Sequence, residues 1–160
     1  MFVFARALTY ATLFIGLFLV FLPARVLSWS GIVRPETIGA GQVAGMIASA
    51  AGAALALSCI LTFAFAGKGT PAPWDPPRRL VVRGPYRFVR NPMYVGAGLA
   101  LAGAALFYRS LPLLAYAGLF FLVTHAFVVL YEEPTLRTSF GEDYEAYCRR
   151  VGRWWPRLAP

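Results

Sequence analysis

Charge is scarce in this sequence: only 14% of its 160 residues are Asp, Glu, Lys or Arg, and just seven of those are acidic. With 59% hydrophobic residues and a mean hydropathy of +0.61, that scarcity excludes a soluble domain of this size. It points to one integral membrane domain. Cysteine is rarer still. Cys59, inside an apolar segment, and Cys148, near the C-terminal end, have the spacing of neither a zinc site nor a redox motif, and two cysteines make no disulfide framework. No metal is expected. Recognised nucleic-acid motifs are also lacking, so the net charge of +8 is assigned to anionic lipid headgroups.

What is present is a series of apolar runs separated by basic turns. After Arg6, residues 7–22 form a nearly uncharged run closed by Pro23 and Arg25, long enough for a first span given the roughly 17 to 25 residues needed. Pro23-Ala24-Arg25-Val26 is a poor small-residue cleavage site, so the segment reads as a retained helix and not as a signal peptide. Residues 28–37, with Trp29, Gly31, Arg34, Pro35 and Glu36, suit an interfacial turn. In a second span at 38–66, Gly41, Gly45, Ser49 and Ala53 recur every four positions, a face for close helix contact in lipid or for a homodimer. Residues 67–90 are a basic, proline-rich loop, with Trp74 as an interfacial anchor and 80–82 as a short extended piece. A third span at 92–108 turns at Arg109-Ser110-Leu111-Pro112 and returns as a fourth at 113–131. The tight connection makes these two an antiparallel hairpin.

The expected fold is therefore an all-α integral membrane protein with about four transmembrane helices, a C-terminal helical hairpin and a short cytoplasmic amphipathic helix. Within the single membrane domain, 1–66 hold two spans, 67–90 the loop, and 91–160 the hairpin and C-terminal segment. Twelve of the fifteen basic residues fall in the segments on one side, leaving only Arg25, Arg34 and Arg109 on the other. The positive-inside rule then places the long loop and both termini in the cytoplasm.

The stretch from Arg83 to Gly98 organises the chain, because it crosses from a dense basic loop into an apolar helix containing Gly96 and Gly98. Pro92 fits the first turn of a helix, so one begins near Asn91. Arg87 and Arg90 flank that start, where free backbone N–H groups and the helix dipole favour an anion. The hairpin brings this start beside the end of the fourth span, which carries Tyr131-Glu132-Glu133-Pro134. A helix C-terminus prefers cations, so two adjacent carboxylates there need cationic or hydrogen-bonding partners. They form either an ion-pair network with Arg87 and Arg90 or a ligand-orienting pair. His125, on a similar face, is either a hydrogen-bonded packing residue or an intramembrane functional group. Ser139-Phe140-Gly141-Glu142 matches a capping box, and Phe140, Tyr144, Tyr147 and Val151 follow helical spacing. That stripe either packs on the domain or roofs a cofactor. Arg153-Trp154-Trp155-Pro156-Arg157 reads as an interfacial anchor.

Gly84-Pro85-Tyr86, the run Arg90-Asn91-Pro92-Met93-Tyr94-Val95-Gly96, and Glu132-Glu133-Pro134 followed by Leu136, Phe140-Gly141, Tyr144, Tyr147, Val151 and Pro156 together resemble one superfamily. It is that of isoprenylcysteine carboxyl methyltransferases and phospholipid methyltransferases, and the likeness covers residues 83–156. The resemblance implies a membrane-embedded methyltransferase, expected in a bacterial inner membrane, that uses S-adenosylmethionine. The cofactor would be enclosed by the last hairpin and the C-terminal segment. Arg90, Asn91, Pro92, Tyr94, Gly96 and Gly98 would bind it on one side and Glu132 and Glu133 on the other, with Tyr144 and Tyr147 closing the site. Arg90, Tyr94 and Glu133 are the candidates for catalysis.

Two departures from the pattern bear on chemistry. Many relatives have histidine where this chain has Asn91, an amide that hydrogen-bonds but does not titrate. The prenylcysteine enzymes also carry arginines near the end of the penultimate apolar stretch, and residues 126–131 contain none here. A lipophilic small molecule or lipid entering from the bilayer is thus the indicated acceptor class, in place of a prenylcysteine carboxylate. The alternative is a non-catalytic membrane module that retains the fold, with the carboxylates and arginines acting only as a clamp.

Overall fold

The computed structural model describes residue 9 and residues 12–62 and 80–157. The start of the first span, and Lys68, Trp74, Arg78 and Arg79 of the basic loop, lie outside those residues. Among the described residues there are helices and no strand, and the single isolated bridge joins Val89 to Gly152 in parallel. The protein is all-α.

Helix α1 (Thr12–Trp29) widens early into a π-helical stretch, Ile15–Phe21, and continues as an α-helix through Leu22–Trp29. Helix α2 is Ala40–Thr62 and α3 is Pro92–Tyr108. Helix α4 (Leu111–Phe127) passes through a second π-helical stretch, Val128–Glu132, into α5 (Glu133–Arg150). Sequence reading ends the first and fourth spans at Pro23 and near Pro134, yet both helices run on. In each case the widened turn lies immediately before the proline. Longer-range carbonyl pairing there absorbs the missing N–H and leaves room for the ring, which an undistorted helix would not. The α5 break comes instead at Gly141, with φ 50° and ψ −124°, inside the predicted capping box.

Among the described residues, three helical stretches are long and apolar enough to cross a membrane: Thr12–Trp29, Ala40–Thr62 and Leu111–Arg150, with Pro92–Tyr108 a shorter apolar helix. The last long stretch has 40 residues, about 60 Å at 1.5 Å per residue and twice a hydrocarbon core of about 30 Å. Its apolar part ends at Tyr131, and a polar stretch begins at Glu132.

The tightest contact runs between α2 and α3. A methyl group added at Gly52 would lie 2.5 Å from the Gly96 carbonyl oxygen and the Ala100 nitrogen; at Gly103 it would lie 2.5 Å from the Ser49 nitrogen. The Ser49 hydroxyl donates across this seam to the Ala100 carbonyl at 3.1 Å. The register corrects the expected one. Gly45, Ser49, Gly52 and Ala56 line the contact in alternating steps of four and three, while Gly41 meets nothing and Ala53 is exposed. A strict four-residue row winds around a helix by about 40° per step, so only the alternating pattern stays on one face. The face suggested for a homodimer is, at Gly45 and Ser49, taken up within the chain.

The hairpin closes at Arg109, in the left-handed conformation, followed by Ser110, whose hydroxyl caps α4 by accepting from the Leu113 N–H at 3.1 Å. With that cap α4 begins at Leu111, two residues earlier than expected. Ala97, Leu101, Ala117 and Phe120 form the hairpin core, and Phe14, Phe18 and Leu19 of α1 pack on it. The Tyr116 hydroxyl donates to the Phe18 carbonyl at 2.8 Å, inside the π-helical stretch of α1. Together these contacts fix the start of α3 beside the end of α4.

Candidate functional site

Asn91 is the N-cap of α3, with Pro92 fully buried in the first turn. The backbone around it is occupied by the returning C-terminal segment. The Arg90 N–H donates to the Gly152 carbonyl at 2.8 Å, and both the Asn91 N–H and its side-chain amide donate to the Arg153 carbonyl at 3.3 Å. Residues 152–154 thus lie as a strap across the helix start, and the strap itself turns so tightly that a side chain at Gly152 would collide with the Trp155 carbonyl. Farther along, the Trp154 indole N–H donates to Nδ1 of His125 at 3.0 Å, and its ring packs 5.0 Å from Phe121. His125 is accordingly a packing residue on α4, and Trp154 docks on the domain, whereas Trp155 beside it is 80% exposed.

Beneath the strap Glu133 is 2% exposed and gathers three guanidinium groups. Arg153 grips it with two hydrogen bonds, Nε to Oε1 at 2.7 Å and Nη2 to Oε2 at 2.9 Å; Arg90 Nη1 lies 3.2 Å from Oε1 and Arg137 Nη1 3.7 Å from Oε2. Burial alone would raise its pKa. The Arg153 hydrogen bond and the charges of Arg90, Arg153 and Arg137 outweigh that and hold it below the ordinary carboxylate value. The same hydrogen bond lifts Arg153 above its ordinary value. Arg90 Nη1 also reaches the Tyr144 hydroxyl at 3.3 Å and the Cys148 sulfur at 2.5 Å, while its Nε is buried with no hydrogen-bond partner. Tyr147 donates to the Tyr86 carbonyl at 2.5 Å. Burial raises both phenols, Tyr144 and Tyr147, above the usual tyrosine range.

Glu132 is placed differently. It ends the π-helical stretch, is half-buried, and has the Tyr94 hydroxyl of α3 donating to it at 3.4 Å. Widened turns of this kind recur at functional positions, since they rotate a side chain out of the helix register. Neighbouring helical residues point about 100° apart, and the two carboxylates face different surroundings.

The structure therefore brings Arg90, Asn91, Pro92, Tyr94, Glu132, Glu133, Tyr144 and Tyr147 to one edge of the hairpin. It separates two other expected residues from them. Gly96 faces α2, where a methyl group would lie 2.7 Å from the Gly52 carbonyl, because the seam needs glycine on both sides. Gly98 is half-buried with open space beside it. Arg87 does not converge on the helix start; it is exposed and stacks on Phe88 at 4.6 Å, since the short 3-10 turn Gly84–Arg87 ends by directing it outward. Sequence reasoning missed Arg153 and Cys148 as neighbours of the site. The signal for Arg153 was the demand for cations that two carboxylates at a helix end create.

Residues 40–143 match the phospholipid methyltransferase family, well over half of the chain. The chain belongs to that family. No curated protein and no solved structure matches it significantly. The family match begins with α2 and takes in α3, α4 and the first part of α5, so Arg90 to Tyr94 and both carboxylates fall inside it, whereas Tyr144, Tyr147 and the strap lie beyond. Membrane helices and family membership together make this a membrane methyltransferase fold.

Proposed function

We propose that this chain is an S-adenosylmethionine-dependent methyltransferase whose acceptor is lipophilic and arrives from the bilayer, while the cofactor arrives from the cytoplasm. The supporting observation is the unequal treatment of adjacent carboxylates. Glu133 is saturated by arginines, whereas Glu132 stands at the polar edge with Tyr94 as its hydrogen-bond neighbour. The residues present suit charges of both signs on the cofactor. Glu132 offers an acceptor for a cation, and Arg90 Nε, buried without a partner, offers a donor for a carboxylate.

When bound, S-adenosylmethionine supplies a methyl group on a positively charged sulfur. A carboxylate near that charge favours the bound state, and since the charge is lost as the methyl leaves, Glu132 serves binding more than acceleration. Tyr94 holds Glu132 in place. Asn91 fixes the strap through the Arg153 carbonyl and, being an amide, takes no proton from an acceptor. The strap with Tyr144 and Tyr147 excludes water, so the protein's contribution is mainly alignment in a dry site.

A direct binding measurement with S-adenosylhomocysteine on the detergent-purified protein tests this. Glu132→Gln is expected to weaken binding about ten- to a hundredfold, the loss of one charge-assisted hydrogen bond, without unfolding the protein. Parent-like binding by that variant would remove Glu132 from the site. Absence of binding by a folded parent would favour the non-catalytic module, a reading to which the closed Glu133 cluster lends itself. For the acceptor, turnover should rise with alkyl chain length through a homologous series, each buried CH₂ adding about 0.8 kcal/mol to partitioning. A flat response would refute delivery from the bilayer.

A further inference from the structure

The strap and its flanks also carry side chains that turn away from Glu133. Two chain-distant stretches, 80–90 and 149–157, meet there, held edge to edge by the parallel bridge from Val89 to Gly152. Neither stretch contains an acidic residue, and together they contain seven arginines. Arg90 and Arg153 are engaged by Glu133, whereas Arg83, Arg87, Arg149, Arg150 and Arg157 are exposed. Arg157 folds back, its Nη1 donating to the Arg149 carbonyl at 2.7 Å, which fixes its guanidinium at the end of α5 and uses one of five donors. Large rings stand among these cations: Phe88, under Arg87, is 53% exposed, and Trp155 is more so. The strap also reaches the apolar flank of α4, where Trp154 packs on Phe121 and donates to His125. Phe121 lies ten residues before Tyr131, about 15 Å along the helix, and Leu119, Leu122 and Val123 around it are exposed. On a membrane-crossing helix such residues face lipid tails. Trp154 therefore fastens the strap to the apolar part of α4, and Trp155 is the next residue.

We propose that this outer face of the strap docks on the bilayer, with Trp155 and Phe88 in the headgroup region and Arg87 and Arg157 on the phosphates of anionic lipids. Aromatic rings favour the boundary between hydrocarbon and water, and a guanidinium pairs with a phosphate through two parallel N–H donors. Anionic lipid is favoured over zwitterionic because a zwitterionic headgroup brings a cation of its own to a face with five exposed positive charges and no carboxylate in either stretch. The inner side of the same segment holds Arg90, Asn91 and Glu133 through Gly152 and Arg153. Lipid bound outside thus pins the strap over the start of α3. The inference needs α3 and α4 to lie in a membrane and is independent of methyl transfer.

Trp155 itself reports the contact. The full chain is reconstituted in vesicles of phosphatidylcholine and phosphatidylglycerol, one of the two brominated high in its acyl chains so that it quenches tryptophan on contact. Emission of the parent minus that of Trp155→Phe isolates Trp155. At equal mole fraction, brominated phosphatidylglycerol should quench this difference more than brominated phosphatidylcholine. The preference, titrated against mole fraction, should fall about fivefold with each of Arg87→Gln and Arg157→Gln, the scale of one basic residue at an anionic surface. Arg157→Lys keeps the charge and should keep most of the preference, and high salt should weaken it in every charged form. All three positions are exposed, so the variants fold, and helical circular dichroism checks that they do. Equal quenching by both lipids, unchanged in the arginine variants, would overturn the anionic assignment. Quenching by neither would leave the face to a protein partner or a second copy and overturn the docking altogether.

Discussion

The seam between α2 and α3 and the cluster beneath the strap are both close contacts, made by opposite means. The seam is backbone against backbone, with Gly45, Gly52, Gly96 and Gly103 clearing the way and a single cross-helix hydrogen bond from Ser49. Lipid is as apolar as the helices, so what holds them is dispersion between surfaces that fit. The cluster is charge against charge: one buried carboxylate, three guanidinium groups, and a strap fixed by backbone hydrogen bonds. The seam has one solution and no spare valence. The cluster has spare valence at Arg90 Nε and at neighbouring Glu132, where the proposed cofactor would find partners.

The contrast is broken most severely at the seam. Gly52→Leu puts side-chain atoms where backbone already lies, and should cost more than about 3 kcal/mol or prevent folding, read as lost monodispersity and a collapsed thermal transition in detergent. Next in size is Glu133→Gln, which leaves buried Arg90 without its charge partner. A loss of about 3 kcal/mol is expected, with partial recovery in the double variant Glu133→Gln with Arg153→Met, whose second change removes one of the stranded cations. Full parental stability in the single variant would show the cluster to be dispensable.

Acid sharpens the same point. Because the folded pKa of Glu133 lies below its ordinary 4.5, its stabilising contribution is complete above that value and disappears as pH falls through the folded one. Parent stability should therefore drop more steeply than that of Glu133→Gln as pH is lowered from about 5, and parallel curves would contradict the pairing. The smallest effect belongs to Arg137, whose side chain is 47% exposed. Arg137→Gln should change the melting free energy by no more than about 0.5 kcal/mol.

Local chemistry was readable in the sequence wherever a residue announces its own conformation. Pro92 and the turn around Arg109 and Ser110 fixed the ends of α3, and the hairpin brought Arg90 to the carboxylates as expected. What was not readable depended on direction or on distant partners. Gly96 looks the same whether it clears space for a ligand or for a helix, and only the register of α2 decides. Arg87 adjoins the helix start in sequence but turns away from it. Arg153 sits in a tail whose return to Asn91 follows from tertiary packing, and the continuation through Pro23 and Pro134 follows from widened turns that no residue pattern marks.

The strap has a consequence for how the protein is made. Asn91 and Arg153, which share a hydrogen bond, are 62 residues apart in the chain. At a synthesis rate of about 5 to 20 residues per second, roughly 3 to 12 seconds separate their emergence from the ribosome. Both spans of the hairpin are synthesised within that interval. A nascent chain can therefore be seated in the bilayer, with its seam closed, and still be unable to complete the edge cluster until residue 153 arrives. Assembly is ordered in time, with insertion first and the carboxylate's last cation afterwards.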